Sequence, residues 1–241
     1  MLMIHRFRFK IFSLLCVISL GSNILSGSAF SSVDKVYHPY VEINTWEFET
    51  RAIGPLTSEL STDFSIYRFG LGKDLLDNLF VEFYAIGNRN NSDTIDIQAY
   101  EIEALYQWTE QGEYWLDVGL LFELEKNIEK NEWEGNIALL LEKEIGRWSA
   151  SLNLHQQYVF VDDRKHEWEV KQAFQYRYRY SSIFEPGIEI YTDQQDTYLG
   201  FVALGSFRQG LTKIGWEIGF LSAISHSEED SLLRLLLEVE F

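Results

Sequence analysis

Disulfides cannot hold this chain together. Its 241 residues include one cysteine, Cys16, so stability has to come from a core or from complete strand pairing. Only 3 prolines are present, which excludes Pro-rich linkers. Nowhere is there an uninterrupted run of roughly 20 apolar residues, the length a spanning helix needs. Yet 46% of the residues are hydrophobic, so they must be distributed in some other way. Basic residues are scarce too, 20 against 37 acidic. A nucleic-acid partner is excluded on that ground, because neutralising phosphates needs a basic surface.

The first 29 residues have the layout of a cleavable secretory signal. A basic stretch, His5-Arg6-Phe7-Arg8-Phe9-Lys10, precedes an apolar run from Ile11 to Leu20, and Gly27-Ser28-Ala29 offers a small-residue cleavage site. Gly21, Ser22 and Asn23 interrupt the apolar run, which speaks against an uncleaved anchor. Cys16 follows Leu15 rather than a small residue, so it is not a lipid-attachment site. Cleavage after Ala29 leaves Phe30 first and one domain, 30–241, of 212 residues (241 less 29). Removing Arg6, Arg8 and Lys10 leaves 17 basic against 37 acidic residues, a net charge of −20.

After the leader the apolar residues alternate, as they do in strands with one apolar face. Trp168, Val170, Phe174, Tyr176, Tyr178 and Tyr180 oppose Glu169, Lys171, Gln175, Arg177 and Arg179. Leu116, Val118, Leu120, Phe122 and Leu124 oppose Asp117, Gly119, Glu123 and Glu125, with Leu121 intruding on the polar side. Val202 and Leu204 blur the second face of another run. Twelve strands are expected, over 36–52, 60–73, 79–87, 95–108, 114–125, 132–144, 147–160, 167–180, 187–192, 197–208, 211–222 and 231–241. The count falls to ten without the weak runs 79–87 and 187–192. The first strand changes phase near Asn44 and Thr45, as at a bulge. Asn136 to Glu144 favours helix by composition, and its strand assignment rests on its neighbours.

An all-strand structure in hydrocarbon must close on itself, since every backbone N–H and C=O needs a partner. The expected fold class is therefore all-β, a transmembrane antiparallel up-and-down barrel of about 12 strands. An even number puts both termini on the periplasmic side. Trp108, Trp148 and Phe241 then fall near the inner interface and Tyr158, Phe160 and Trp168 near the outer one, two girdles suited to rings with a polar tip. The competing architecture is a soluble lipocalin-like barrel with apolar side chains inside, which would have to bury many Trp and Tyr with partners for their polar atoms.

Two stretches carry a resemblance. Leu233, Leu235, Leu237, Val239 and Phe241 alternate with Leu232, Arg234, Leu236, Glu238 and Glu240. This resembles the C-terminal signature of bacterial outer-membrane barrels, which departs here only in having Leu236 where Gly is common. The resemblance implies that the barrel assembly machinery reads Val239 and Phe241. Pro39-Tyr40-Val41-Glu42-Ile43-Asn44-Thr45-Trp46-Glu47-Phe48-Glu49 resembles the opening strand of an uncharacterised proteobacterial group of outer-membrane proteins and implies no activity. Outer-membrane lipids and lipopolysaccharide are the expected surroundings.

Little in the sequence points to catalysis. An outer-membrane lipid hydrolase needs a Ser activated by a His that a third group orients. His226 stands between Ser225 and Ser227, and neither serine is well placed; His155 has Asn153 and Gln157 on its face and no serine two residues away. No catalytic residue or cofactor is assigned. No metal ligand is assigned either: Asp162, Asp163 and His166, and separately Glu228, Glu229 and Asp230, lack the spacing of a calcium loop. The lumen is the candidate for function. Glu101, Glu103, Asp117, Glu123, Glu142, Glu144, Glu169 and Glu238 are expected to point inward with Lys171, Arg177, Arg179, Arg208 and Arg234. Twelve strands lie between the small barrels that side chains fill and the large ones that leave a water channel. A narrow small-solute or ion channel and a structural barrel both follow. Connections of about four to nine residues leave no room for a large folded-in plug.

Overall fold

Alternation became pairing throughout. In a computed structural model, described over residues 33–56, 65–90, 94–160, 167–225 and 230–241, twelve strands form one closed sheet. They are β1 (Trp46–Pro55), β2 (Ile66–Leu76), β3 (Leu79–Arg89), β4 (Ile95–Gln107), β5 (Asp117–Asn127) and β6 (Glu132–Ile145). The sheet continues through β7 (Trp148–Phe160), β8 (Glu167–Tyr178), β9 (Glu185–Thr192), β10 (Thr197–Gln209), β11 (Thr212–Ala223) and β12 (Ser231–Glu240). Each strand is antiparallel to its chain neighbours, and β12 returns to pair with β1 from Glu47↔Glu240 to Pro55↔Leu232. Closure leaves no edge to solvate, which removes the edge-strand problem outright. Both weak runs are strands, and the helix-favouring Asn136–Glu144 lies wholly in β6, where pairing with β5 and β7 overrides propensity.

The faces are inverted relative to a soluble protein. Phe83, Ile102, Phe122, Ile137, Val170 and Phe201 are exposed outside, whereas Glu49, Arg51, Glu142, Glu189 and Arg234 are at most 1% exposed inside. The soluble, apolar-inside alternative is therefore overturned. An outer wall of this kind needs hydrocarbon around it, and the chain has the architecture of a transmembrane β-barrel. Trp148 stacks on Tyr176 with ring centroids 4.9 Å apart at the end that carries Trp46 and Phe241. Tyr158 meets Trp168 at 4.5 Å at the opposite, far end. Those are the two girdles. Three of the five connections at the terminal end are two-residue turns, Asp77-Asn78, Gly146-Arg147 and Gly210-Leu211, consistent with a periplasmic position.

The first strand differs from expectation. It begins at Trp46, not residue 36, and the phase change at Asn44 is a turn rather than a bulge: Asn44 has φ 58° and sits in a reversal over 43–44. Residues 33–42 have no strand structure; they run down the inside of the barrel, and the chain then turns into β1. A plug is present after all, and it comes from the N-terminal side rather than from a loop. Accordingly, the stretch Pro39–Glu49 divides between this segment, the turn and the start of β1. Strands β5 and β8 are shorter than expected, starting at Asp117 and ending at Tyr178. The leader, its cleavage site, Cys16, Asp162, Asp163, His166, His226, Glu228 and Glu229 lie outside the described residues.

Candidate functional site: a plugged, acidic lumen

A peptide segment inside a barrel has no neighbouring strand to satisfy its backbone, so wall side chains must do so. Asn153 is fully buried and takes both backbone groups of Tyr37: the Tyr37 N–H donates to Asn153 Oδ1 at 2.7 Å, and Asn153 Nδ2 donates to the Tyr37 carbonyl at 2.9 Å. Lower down, the Val41 N–H donates to Gln107 Oε1 at 2.8 Å. At the turn, the Asn44 and Thr45 N–H groups donate to Asp74 at 2.8 and 3.1 Å.

The plug's side chains are held equally closely. Val33 and Val36 sit in an apolar patch with Ala173, Tyr191, Tyr198, Leu221 and Leu232. Tyr37 packs on Leu121, Ala138 and Leu140 while its hydroxyl donates to Glu103 at 2.8 Å. Tyr40 donates to Asp117 Oδ2 at 2.8 Å. Burial first and carboxylates second push the Tyr37 and Tyr40 hydroxyls above the ordinary tyrosine range, so both remain donors. Burial alone would lower Lys35, but Glu49, Glu82, Glu103 and Glu47 outweigh it and raise its pKa well above the usual lysine value. Its ammonium lies 2.5 Å from Glu49 Oε2.

Three charge networks line the wall. In the first, Arg51 pairs with Asp34 and Glu49, and Arg68 pairs with Glu101 and, at 3.4 Å, with Glu103. In the second, Glu142 accepts from Ser149 at 2.6 Å and Ser151 at 3.1 Å and meets Arg177 at 3.5 Å; Arg179 reaches Glu144 from just beyond β8. In the third, Arg234 binds Glu189, Glu217, the Tyr191 hydroxyl and the Asp34 carbonyl. The remaining expected lumen charges spread along the bore. Asp117 is buried near the terminal end, Glu123 meets Asn136, and Lys171 lies 3.8 Å from Glu169. Arg208 is a correction: it is 63% exposed, 3.8 Å from Glu42, at the rim of the terminal end. Val239 faces outward from β12, and Phe241 exchanges backbone hydrogen bonds with Trp46 across the seam.

Sequence reasoning missed Glu49, Arg51, Arg68, Glu189 and Glu217. The polar phase of each strand marks them, but the reading stopped at the clearest runs. It also missed His38, whose Nδ1 lies 2.6 Å from Glu142 and 3.3 Å from Ser151 Oγ. This brings Ser, His and an acid together, though not as a triad. A triad needs the acid on one ring nitrogen and the serine on the other, whereas here both address Nδ1. His155 meets Asn136 at 2.9 Å, which supplies no nucleophile.

The plug divides the bore. A cavity of about 480 Å³ lies towards the terminal end and one of about 460 Å³ towards the far end, with Lys35 and Tyr37 in the walls of both. The first is lined by eight carboxylates against four basic side chains, the second by six against four. Both surroundings therefore favour cations.

No family model and no curated protein matches the chain. Solved structures do. An outer-membrane channel from Pseudomonas putida F1 aligns with a TM-score of 0.56 at 13% identity, covering 86% of this chain and 98% of its own. The KdgM porin in complex with disordered oligogalacturonate aligns at 0.52 and 11% identity, over 82% of this chain and 98% of its own. At such identities the likeness is one of fold, and that fold is the outer-membrane barrel.

Proposed function

We propose that this protein is a narrow, non-enzymatic outer-membrane channel for small cationic solutes, with a bore regulated by its own N-terminal segment. The observation that carries this reading is the pair of carboxylate-rich cavities on either side of the seated plug. A wall built only for stability has no need to hold a peptide without strand structure between two cavities of about 480 and 460 Å³. The acidic lining also separates this barrel from the ligand of the KdgM porin, because a polyuronate is an anion and such a bore repels it. The partners that go with this reading are outer-membrane lipid, lipopolysaccharide and the assembly machinery, which would engage Val239 and Phe241.

The test is selectivity in planar bilayers under a salt gradient. Purified barrel lacking residues 33–42 is expected to give a reversal potential of the sign for cation preference, weakening as salt rises and screens the wall. Anion preference overturns the reading, and a barrel silent with and without the segment is a structural one. Glu101 and Glu103 are poor single targets for reducing conductance, because both are tied to Arg68 and Glu103 also grips Tyr37. Neutralising Glu103 is expected to loosen the plug and raise conductance. A lipid hydrolase would instead degrade phospholipid vesicles and lose that turnover on Ser151→Ala.

A further inference from the structure

Where β1 closes against β12, the wall concentrates negative charge. Glu47 and Glu49 face the same interior as Glu238, and one carboxylate oxygen from each lies within 4.8 Å of the others. Two oxygens on one calcium ion, at roughly 2.3–2.6 Å each, can stand up to about 5 Å apart, whereas magnesium at about 2.0–2.1 Å draws its ligands closer. Three carboxylate oxygens within that bound can be gathered by one calcium ion, whose coordination shell is the larger and more flexible of the two.

Two further observations point to a cation here. Glu82 of β3 is 3% exposed, and its Oε1 has no hydrogen-bond partner although Oε2 accepts from Tyr84. That oxygen folds over Gly70, where a Cβ would stand 2.2 Å from it, and Gly70 is the register partner of Glu49. The free oxygen thus stands on the lumen side beside the register partner of Glu49, at the margin of the three-carboxylate group, and the missing side chain at position 70 makes room for it. The second observation is that a cation is already present: the Lys35 ammonium sits 2.5 Å from Glu49. Arg51 serves the other oxygen of Glu49 at 2.5 Å, so for Glu47, Glu82 and Glu238 the plug's single ammonium is the nearby counter-charge.

We propose that Glu47, Glu49, Glu82 and Glu238 form a calcium site inside the barrel that Lys35 fills while the plug is seated, so that calcium binding and plug seating exclude one another. Lys35, Glu47, Glu82 and Glu238 all line the terminal-end cavity, which gives an ion its route in. Calcium brings two charges where the lysine brings one, and hard carboxylate oxygens are its preferred ligands. The consequence for conduction, a plug released by calcium, rests on the channel reading above.

Calorimetry on the full mature chain, refolded in detergent free of lipopolysaccharide, tests the site without reference to conduction. Lys35→Met empties the cage of its resident cation and is expected to tighten calcium binding at least tenfold over the unmodified chain, with magnesium gaining far less. Adding Glu47→Gln and Glu238→Gln to Lys35→Met is expected to abolish that gain. Heat-modifiable gel mobility verifies that each variant is folded. If folded Lys35→Met binds calcium no more tightly, or the gain survives loss of both glutamates, the site is overturned. A barrel that passes this test but never conducts keeps the site and loses the channel; one that conducts without a calcium response does the reverse.

Discussion

Deleting residues 33–42 is expected to raise single-channel conductance several-fold while leaving a folded barrel. The strands do not depend on the segment, since β1 starts at Trp46 and pairs along its length with β2 and β12. The wall charges also keep partners without it. Arg51 retains Glu49, Arg68 retains Glu101 and Glu103, and Glu142 retains Ser149, Ser151 and Arg177. What is lost is the peptide between the two cavities and the burial of Tyr37, Val33 and Val36, roughly 1.5–3 kcal/mol for each valine. A subtler variant reaches the same end. A Cβ at Gly119 would lie 2.9 Å from Pro39 Cβ and 3.0 Å from its Cα, so Gly119→Val displaces the plug while placing a β-branched residue in β5, where it suits a strand. Both variants are expected to show larger current steps in planar bilayers. If both fold and neither conducts more than the intact protein, the wall side chains themselves close the bore.

That plug was half legible. The strands, their number and the inversion of faces follow from period-two alternation and a polar phase, and these are local properties. What went unread was the significance of the exceptions. Leu121 and Val202 intrude on otherwise polar faces, and both are buried inside the barrel, Leu121 against Tyr37. An apolar residue on the lumen side of such a barrel needs something apolar to cover it, and for Leu121 that cover is Tyr37, from the stretch before Trp46. Its own alternation, Tyr40-Val41-Glu42-Ile43, made it pass for strand. Only the turn at Asn44, a residue that tolerates positive φ, separates the two readings. The charge networks were hidden for another reason. Arg234, Glu189 and Glu217 lie on three strands, β12, β9 and β11, and β9 and β12 are not even neighbours. Their meeting is a property of barrel curvature and long side chains, which periodicity does not encode.

Arg234→Met should be the most damaging single substitution in the wall, costing about 3–5 kcal/mol, the range for removing one member of a buried ion pair. Arg234 is 0% exposed and directs one side of its guanidinium to Glu189 at 2.7 Å and to Glu217, and the other to Tyr191 and the Asp34 carbonyl. Methionine fills much of the volume but leaves two carboxylates facing each other, with Glu189 fully buried. Gln175 at 2.7 Å and the Tyr191 hydroxyl at 3.0 Å still donate to Glu189, yet neutral donors do not replace a positive charge. Arg234→Lys should fall between, because one ammonium cannot reproduce a planar fork serving four acceptors. The discriminating variant is Arg234→Met with Glu189→Gln and Glu217→Gln. Removing all three charges together removes the unpaired carboxylates, and most of the lost stability should return. Urea unfolding in lipid vesicles, followed by tryptophan fluorescence, measures each as a shift in midpoint at constant slope. A loss under about 1 kcal/mol for Arg234→Met would mean that water from the adjoining cavities solvates Glu189 and Glu217. The barrel would then owe its stability to the closed strand ladder rather than to its internal charge pairs.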